Sequence, residues 1–163
     1  MSKKSFWKGF AIGCVLGVIT AVVFYVKVVI QPDITLSQIE VYDLEGNKED
    51  LKDYIGKPLV VNIWGTWCAP CRKEFPHFEE VKQEVGEDIN FVMISDEKPE
   101  KIAEFSRANP YTFTYLRSDK MFSAYGINAR PATFLYNAQG ELIAKRTGGM
   151  EGKTLRKLLE KVR

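Results

Sequence analysis

The sequence contains little cysteine and only one histidine. Its three cysteines cannot form a fully paired disulfide framework, so cross-links are not what holds the fold together. A zinc site around Cys68 and Cys71 would need a second pair of ligands, and the sequence offers only Cys14 and His77. Clusters of lysine and arginine are also missing, which excludes the basic face of a nucleic-acid-binding protein. We therefore expect no metal and no nucleic-acid partner, and we interpret His77 as a helix-surface residue.

The composition is that of one globular domain with a short accessory segment. The chain has 163 residues, of which 45% are hydrophobic and 27% are charged. Its net charge of +2 is unevenly distributed, because residues 1–31 hold four lysines and no acidic residue. The remaining residues therefore form a mildly acidic body with a net charge of −2.

The accessory segment has the pattern of a membrane anchor. Gly9–Val26 contains no charged side chain, and continuing the helix to Ile30 gives roughly 33 Å at about 1.5 Å per residue, which matches the hydrocarbon thickness of a bilayer. A core helix of a soluble protein would show a polar face, which this segment lacks. The absence of a small-x-small cleavage site after the apolar run favours retention over removal as a signal peptide.

The charge distribution predicts the orientation of this anchor. Lysines at the amino end favour the cytoplasmic side, which places the rest of the chain outside the cytoplasm. We predict a cytoplasmic basic end over 1–8, a transmembrane signal anchor over 9–30, a linker over 31–37 and a folded domain over 38–163. We expect the protein to be located in the cell membrane, which it crosses once and contacts through residues 9–30.

Strands and helices alternate along the folded domain. The predicted elements are a hairpin beginning at Gln38 with a turn at Glu45–Asn47, strands over 58–64, 89–95, 113–116, 132–137 and 142–145, helices over 69–85, 98–109 and 152–163, and a helical turn or two over 119–125. This order predicts parallel crossovers early and a hairpin late, with both faces of the sheet covered. We expect a three-layer α/β/α sandwich with an N-terminal β-hairpin.

One motif carries the chemistry: Cys68-Ala69-Pro70-Cys71, placed where a buried strand ends and a helix begins. Two cysteines three residues apart in a first helical turn lie on the same side, so their sulfurs can form a disulfide. The N-terminus of the helix stabilises an anion on Cys68. A fall in its pKa from about 8.5 to about 7 would correspond to roughly 2 kcal/mol and would make about half of the thiol reactive at neutral pH. The more shielded Cys71 is the expected resolving thiol.

Other uses of this pair are weaker. A structural disulfide closing so small a loop would stabilise the fold little. A peroxidase of related fold would have a threonine three residues before its cysteine, whereas Thr66 stands two before Cys68. The motif therefore favours reversible thiol-disulfide chemistry.

The motif and its surroundings resemble a known family. The strings that carry the resemblance are Asp43–Gly46, Leu51–Pro76 with Trp-Gly-Thr-Trp-Cys-Ala-Pro-Cys at its centre, and Arg130–Tyr136 followed by Gly140. They are similar to those of the TlpA/ResA-like membrane-anchored thiol-disulfide oxidoreductases, a branch of the thioredoxin superfamily. The similarity extends from about residue 38 to the end of the chain.

The resemblance implies a thioredoxin-like fold and roles for individual residues. Cys68 would attack a partner disulfide and Cys71 would resolve the mixed disulfide. Pro131 would be cis and would present the backbone near Arg130 to the substrate; on the residues alone it could be an ordinary proline at a strand start. Arg130 could add positive potential at Cys68 or could be a solvated side chain. The expected supporting residues are, together with these two, Trp67, Ala69 and Pro70.

The sequence departs from its relatives at two expected carboxylates. Thioredoxins proper carry a buried aspartate where this chain has Asn62, and ResA-type proteins carry glutamate where this chain has Ala69. The group that deprotonates Cys71 could be water, Glu74 or a neighbouring thiolate. Trp64 and Trp67 are expected to pack around the disulfide.

The function predicted from these observations is an extracytoplasmic disulfide reductase. Its partners would be protein disulfides, including those of apocytochrome c before haem attachment in cytochrome c-type biogenesis, and a membrane electron donor. The redox-active disulfide itself would serve in place of a cofactor. The alternatives are a disulfide oxidase or isomerase, and a non-catalytic thiol-based binding or metal-carrier module.

Overall fold

The chain forms a long amino-terminal helix and a separate α/β unit. A computed structural model describes residues 3–29 and 32–162; the ends of the predicted anchor at Ile30, of the linker at Gln31 and of the last helix at Arg163 lie outside the described residues. The two units comprise Met1–Ile30 and Gln31–Arg163.

The amino-terminal helix α1 spans Lys3–Val29. Within it, Trp7–Val26 has a mean hydropathy of 2.3, and none of it is buried against protein. Twenty residues of helix measure about 30 Å, enough to cross a bilayer. The hydroxyl of Thr20 donates to the carbonyl oxygen of Leu16 at 2.5 Å, so this polar group is satisfied inside the helix. Helix α1 is thus a candidate membrane anchor.

The α/β unit is built on one seven-stranded mixed sheet in the order β2-β1-β5-β4-β3-β6-β7. Its strands are β1 (Val41–Tyr42), β2 (Lys48–Glu49), β3 (Leu59–Trp64), β4 (Asn90–Ser95), β5 (Thr114–Arg117), β6 (Ala132–Tyr136) and β7 (Leu142–Thr147). Strands β3, β4 and β5 are parallel, whereas β6 is antiparallel to β3 and to β7. The early parallel crossovers, the late hairpin and the amino-terminal hairpin of β1 and β2 are therefore as predicted.

The helices are α2 (Ala69–Val85), α3 (Pro99–Ala108) and α4 (Gly152–Leu159). Two parallel steps in the same direction across the sheet, from β3 to β4 and from β4 to β5, bring α2 and α3 to one face. Phe75 and Phe78 from α2, Ile102 from α3 and Leu155 from α4 accordingly share one buried cluster with Trp64. Helix α4 ends at Leu159, earlier than the predicted helix over 152–163.

Within the described part of the α/β unit, no α-helix covers the opposite face of the sheet. Its buried cluster contains Ile34, Leu36 and Ile39 from the segment before β1, Leu51 from a 3₁₀ helix over Leu51–Tyr54, and Phe122 from another over Phe122–Tyr125. The hydroxyl of Tyr136 donates to the carbonyl oxygen of Ile34 at 2.7 Å. The thioredoxin-like sandwich is confirmed, with 3₁₀ turns and the segment before β1 as its second outer layer. Packing already begins within 31–37, the range that we predict to be a linker.

Candidate active site

The two cysteines of the motif form a disulfide at the start of α2. Cys68 and Cys71 are bonded, and their Cα atoms lie 5.3 Å apart. Strand β3 ends at Trp64, and a turn closed by the Cys68 amide donating to the Gly65 carbonyl (3.0 Å) brings the chain to the helix. The strand is buried along its whole length, which fixes the position of this turn. The motif is therefore rigidly attached to the centre of the sheet.

Cys68 occupies the N-cap position of α2. Its Sγ accepts a hydrogen bond from the backbone N–H of Cys71 at 3.3 Å, and Pro70 lies in the first turn, where its missing N–H costs nothing. Cys68 is 4% exposed and Cys71 is fully buried. This asymmetry agrees with the predicted order of reaction, in which Cys68 meets the partner and Cys71 stays shielded. Ala69 and Pro70, predicted to support the site, form the exposed first turn between them.

A buried carboxyl group lies one helical turn beyond Cys71. Glu74 is 2% exposed, and its Oε1 accepts a hydrogen bond from Asn62 Nδ2 (2.9 Å) while its Oε2 accepts one from the Met150 amide (3.0 Å). Burial raises the pKa of Glu74 to about 7, although these two hydrogen bonds favour the ionised form. Cys71 and Glu74, three residues apart, share one face of α2.

Asn62 holds this carboxyl group in place. Its Nδ2 also donates to Thr133 Oγ1 at 3.0 Å, which connects β3 to β6 behind the motif. The aspartate that thioredoxins proper place at the position of Asn62 is therefore replaced by an amide that contacts a carboxylate. Of the three groups considered for deprotonating Cys71, Glu74 has the burial and the pKa suited to the task.

The two tryptophans of the motif differ in their surroundings. Trp64 is fully buried, with ring centroids 4.9 Å from Phe75 and 4.7 Å from Phe105, and it belongs to the same cluster as the two cysteines. Trp67, immediately before Cys68, is 65% exposed. The expected packing around the disulfide thus holds for Trp64, whereas Trp67 offers an apolar surface beside it.

The Arg130–Pro131 peptide bond is cis, as the resemblance implies. Arg130 is not a solvated side chain: its guanidinium group forms an ion pair with Asp96 and lies 5.2 Å from the ring centroid of Trp67 and 4.9 Å from that of Phe122. Its charge is balanced by Asp96 rather than directed without compensation at Cys68.

Two acidic residues at the end of β4 were missed by the sequence analysis. Asp96 binds Arg130, and its Oδ2 accepts a hydrogen bond from the Phe122 amide at 3.2 Å. Glu97 accepts hydrogen bonds from the backbone N–H (2.5 Å) and hydroxyl (2.8 Å) of Thr66. Because β3 and β4 are parallel neighbours, their carboxyl ends meet at one edge of the sheet. An acidic pair directly after the second strand was the available signal.

A cleft of about 640 Å³ includes in its wall Trp67, the residue before Cys68. Its walls include Trp67, Asp96, Met121, Phe122, Ile127 and Arg130. A smaller cleft, of about 220 Å³, is lined by Pro70, Glu74 and Met150 among others. Among the residues that the structure describes, no group of three or more His, Cys, Asp or Glu side chains could hold a metal ion. His77 is exposed on α2, as predicted.

The sequence matches known proteins along most of its length. Residues 30–145 match the AhpC/TSA family. A protein named thiol-disulfide oxidoreductase ResA from Geobacillus thermodenitrificans is 34% identical over 137 residues, covering 81% of this chain and 75% of that protein. Another of the same name from Halalkalibacterium halodurans is 28% identical, covering 99% of this chain and 97% of that protein.

Solved structures agree in fold. StoA from Bacillus subtilis has a TM-score of 0.60 at 24% identity, covering 73% of this chain and 96% of that one. A secreted disulfide oxidoreductase from Mycobacterium tuberculosis, described as homologous to DsbE of E. coli, has a TM-score of 0.63 at 25% identity, covering 76% and 95%. With a redox pair at the helix N-terminus and relatives of this kind, the chain belongs to the AhpC/TSA family and is a thioredoxin-fold thiol-disulfide oxidoreductase.

Proposed function

We propose that this enzyme is a membrane-anchored reductase of disulfides in extracytoplasmic proteins. The observation that carries the proposal is the Cys68–Cys71 disulfide at the N-terminus of α2, with Cys68 as N-cap and Cys71 buried behind it. An N-cap sulfur is stabilised as an anion by the helix dipole and by unpaired backbone N–H groups. Cys68 is therefore the nucleophile and Cys71 the resolving thiol.

The reaction consists of two exchanges. In the reduced enzyme the Cys68 thiolate attacks a partner disulfide, so that a bond between Cys68 and the partner forms, the partner S–S bond breaks, and the departing sulfur takes up a proton. Cys71 then loses its proton and attacks Cys68 Sγ, which forms the Cys68–Cys71 disulfide and releases the second partner thiol. Two electrons pass to the partner, and a dithiol donor in the membrane returns them.

Glu74 is the proposed acceptor of the Cys71 proton. A carboxyl group with a pKa of about 7 can take up and release a proton near neutral pH, unlike one with the ordinary value of 4.5. Its place one turn beyond Cys71, on the same helix face, supports this role. Trp67, Ala69, Pro70, Arg130 and cis Pro131 are the proposed residues around which the partner segment binds.

The proposed location follows from helix α1 and its lysines. Residues 1–8 lie in the cytoplasm, 9–30 cross the membrane and 38–163 act outside. The connecting range 31–37 includes Ile34 and Leu36, which pack against the folded unit. Reduction of apocytochrome c before haem attachment is the task that resemblance to TlpA/ResA-like proteins implies.

Trapping of the mixed disulfide tests the proposal. The full chain in detergent micelles is reduced and mixed with oxidised insulin. Cys71→Ser should accumulate a covalent adduct with insulin, and dithiothreitol should cleave this adduct. Cys68→Ser should form no adduct and should lose turnover with dithiothreitol as donor. Cys14→Ser, the same change at the lone cysteine of α1, should match the unaltered protein. Equal turnover by Cys68→Ser would contradict the catalytic role.

The direction of the reaction is tested by the reduction potential. Equilibration of the pair with glutathione buffers should give a potential near that of thioredoxin, about −270 mV. A value near the strongly oxidising end, about −120 mV, would identify an oxidase instead.

A further inference from the structure

The cleft next to Trp67 contains two opposite charges that neutralise each other. Of the nine described residues that line it, Asp96 and Arg130 are the charged ones. They form an ion pair with each other, and their side chains are only 9% and 16% exposed. The cleft wall is therefore neutral, although it contains an arginine.

This cleft is lined by the sequence neighbours of Cys68 and of cis Pro131. Trp67 directly precedes Cys68, and Arg130 directly precedes cis Pro131. Two apolar residues of its wall are strongly exposed, Trp67 at 65% and Met121 at 71%. A partner segment that brings its disulfide to Cys68 would place the neighbouring residues here.

Asp96 fixes Arg130 in this wall. The carboxylate binds the guanidinium group and, through Oδ2, the Phe122 amide, while the guanidinium group lies against the rings of both Trp67 and Phe122. Removing one member of a pair this shielded from water leaves an uncompensated charge that solvent screens poorly.

From these contacts, and resting on the proposed function, we propose that Asp96 determines the charge specificity of the cleft. By neutralising Arg130 it makes the enzyme select partner segments whose residues beside the reacting cysteine are uncharged. Without Asp96, the uncompensated positive charge of Arg130 would favour acidic segments. Asp96 is thus a specificity-determining residue that acts through Arg130 and does not touch the sulfurs.

This proposal is tested with three synthetic disulfide peptides. They differ only in the residues that flank one cysteine, which are glutamate, glutamine or lysine. The measured quantity is kcat/KM for their reduction by the full-length enzyme in uncharged detergent micelles. Asp96→Asn keeps an acceptor for the Phe122 amide but removes the charge. At low salt, Asp96→Asn should raise the ratio of kcat/KM for the glutamate peptide to kcat/KM for the glutamine peptide about fivefold. Salt at about 0.5 M should abolish this increase, because it screens the charge.

Arg130→Met gives the mirror-image test and does not depend on Asp96→Asn folding. It leaves the Asp96 carboxylate unpaired, so the lysine peptide should gain about fivefold over the glutamine peptide. The double variant Asp96→Asn with Arg130→Met carries neither charge and should return to the unaltered ratios. Asp33→Asn, which removes the same charge from an exposed ion pair with Lys145, should leave the ratios unchanged.

The outcomes separate this inference from the proposed function. Unaltered ratios in both active single variants, or a shift that persists in the double variant, would overturn the role of Asp96 and leave the reductase intact. An unaltered enzyme that reduces none of the three peptides would instead contradict the proposed function.

Discussion

At the scale of single residues, Glu74 is a carboxyl group whose acidity the fold changes. Its carboxyl is buried between α2, β3 and the loop that precedes α4, and its two oxygens are bound by donors from two different segments. Desolvation favours the neutral form, which is why the pKa of Glu74 rises to about 7 in spite of these hydrogen bonds.

This shift predicts a pH dependence of stability. Below about pH 4.5 the carboxyl group is protonated in both the folded and the unfolded state. Between about pH 4.5 and pH 7 it ionises in the unfolded state but stays protonated in the folded state. The free energy of unfolding should therefore fall by up to about 3 kcal/mol as the pH rises through this range. Glu74→Gln should abolish this fall. Urea denaturation of the oxidised protein at pH 5 and pH 8 measures it.

The matched control for this prediction is Glu104→Gln, which changes an exposed glutamate on α3. Its stability should keep the pH dependence of the unaltered protein. Parallel curves for Glu74→Gln and the unaltered protein would contradict the raised pKa.

At the scale of elements, an aromatic cluster holds α2 against the sheet. Phe75 is fully buried, and its ring lies 4.9 Å from Trp64, 5.8 Å from Phe105 and 5.5 Å from Phe113. These contacts join α2 to β3, to α3 and to the entry of β5. They fix the helix whose first turn carries the disulfide.

Phe75→Ala should therefore lower the free energy of unfolding by about 3–5 kcal/mol, because it removes a buried ring and leaves a cavity between the neighbouring aromatic rings. Phe75→Leu keeps most of the apolar volume and should cost about 1 kcal/mol. Urea denaturation monitored by circular dichroism measures both. A cost below about 1 kcal/mol for Phe75→Ala would show that this cluster does not hold α2.

The elements themselves could be predicted because their signals are local. Strand β3 is a continuous apolar run, and α2 begins at the cysteine motif, as predicted. The Asn62–Glu74–Met150 contacts and the Asp96–Arg130 pair carry no such signal. Residues 34 positions apart meet only when the topology brings strand ends together, and the side-chain partners then depend on packing. The spacing of Cys71 and Glu74 indicated locally only that the two residues share one face of α2.

At the scale of the whole molecule, the segment before β1 belongs to the core of the α/β unit. Ile34, Leu36 and Ile39 are 3–5% exposed and cover a face of the sheet that no described α-helix covers. Hydrophobic periodicity did not reveal this, because 31–37, a seven-residue segment with a proline, has the composition of a linker.

Leu36→Ala distinguishes a packed segment from a linker. We expect it to lower the free energy of unfolding by about 2–4 kcal/mol, as buried leucines do when truncated. Ser37→Ala, an exposed neighbour, should change it by no more than about 0.5 kcal/mol. Equal effects of the two substitutions, measured by thermal unfolding in detergent micelles, would favour a linker at 31–37.

The hydrogen bond between Met150 and Glu74 links the redox centre to the carboxyl-terminal end of the fold. Helix α4 begins at Gly152, two residues after the amide that binds Oε2. A charged acceptor binds an amide more strongly than a neutral one, so each proton that Glu74 takes up loosens this attachment. Deuterium uptake at the Met150 amide, corrected for the intrinsic exchange rate, should consequently follow the titration of Glu74, one helical turn from Cys71. Hydrogen exchange at the start of the carboxyl-terminal region would therefore report the protonation state of Glu74.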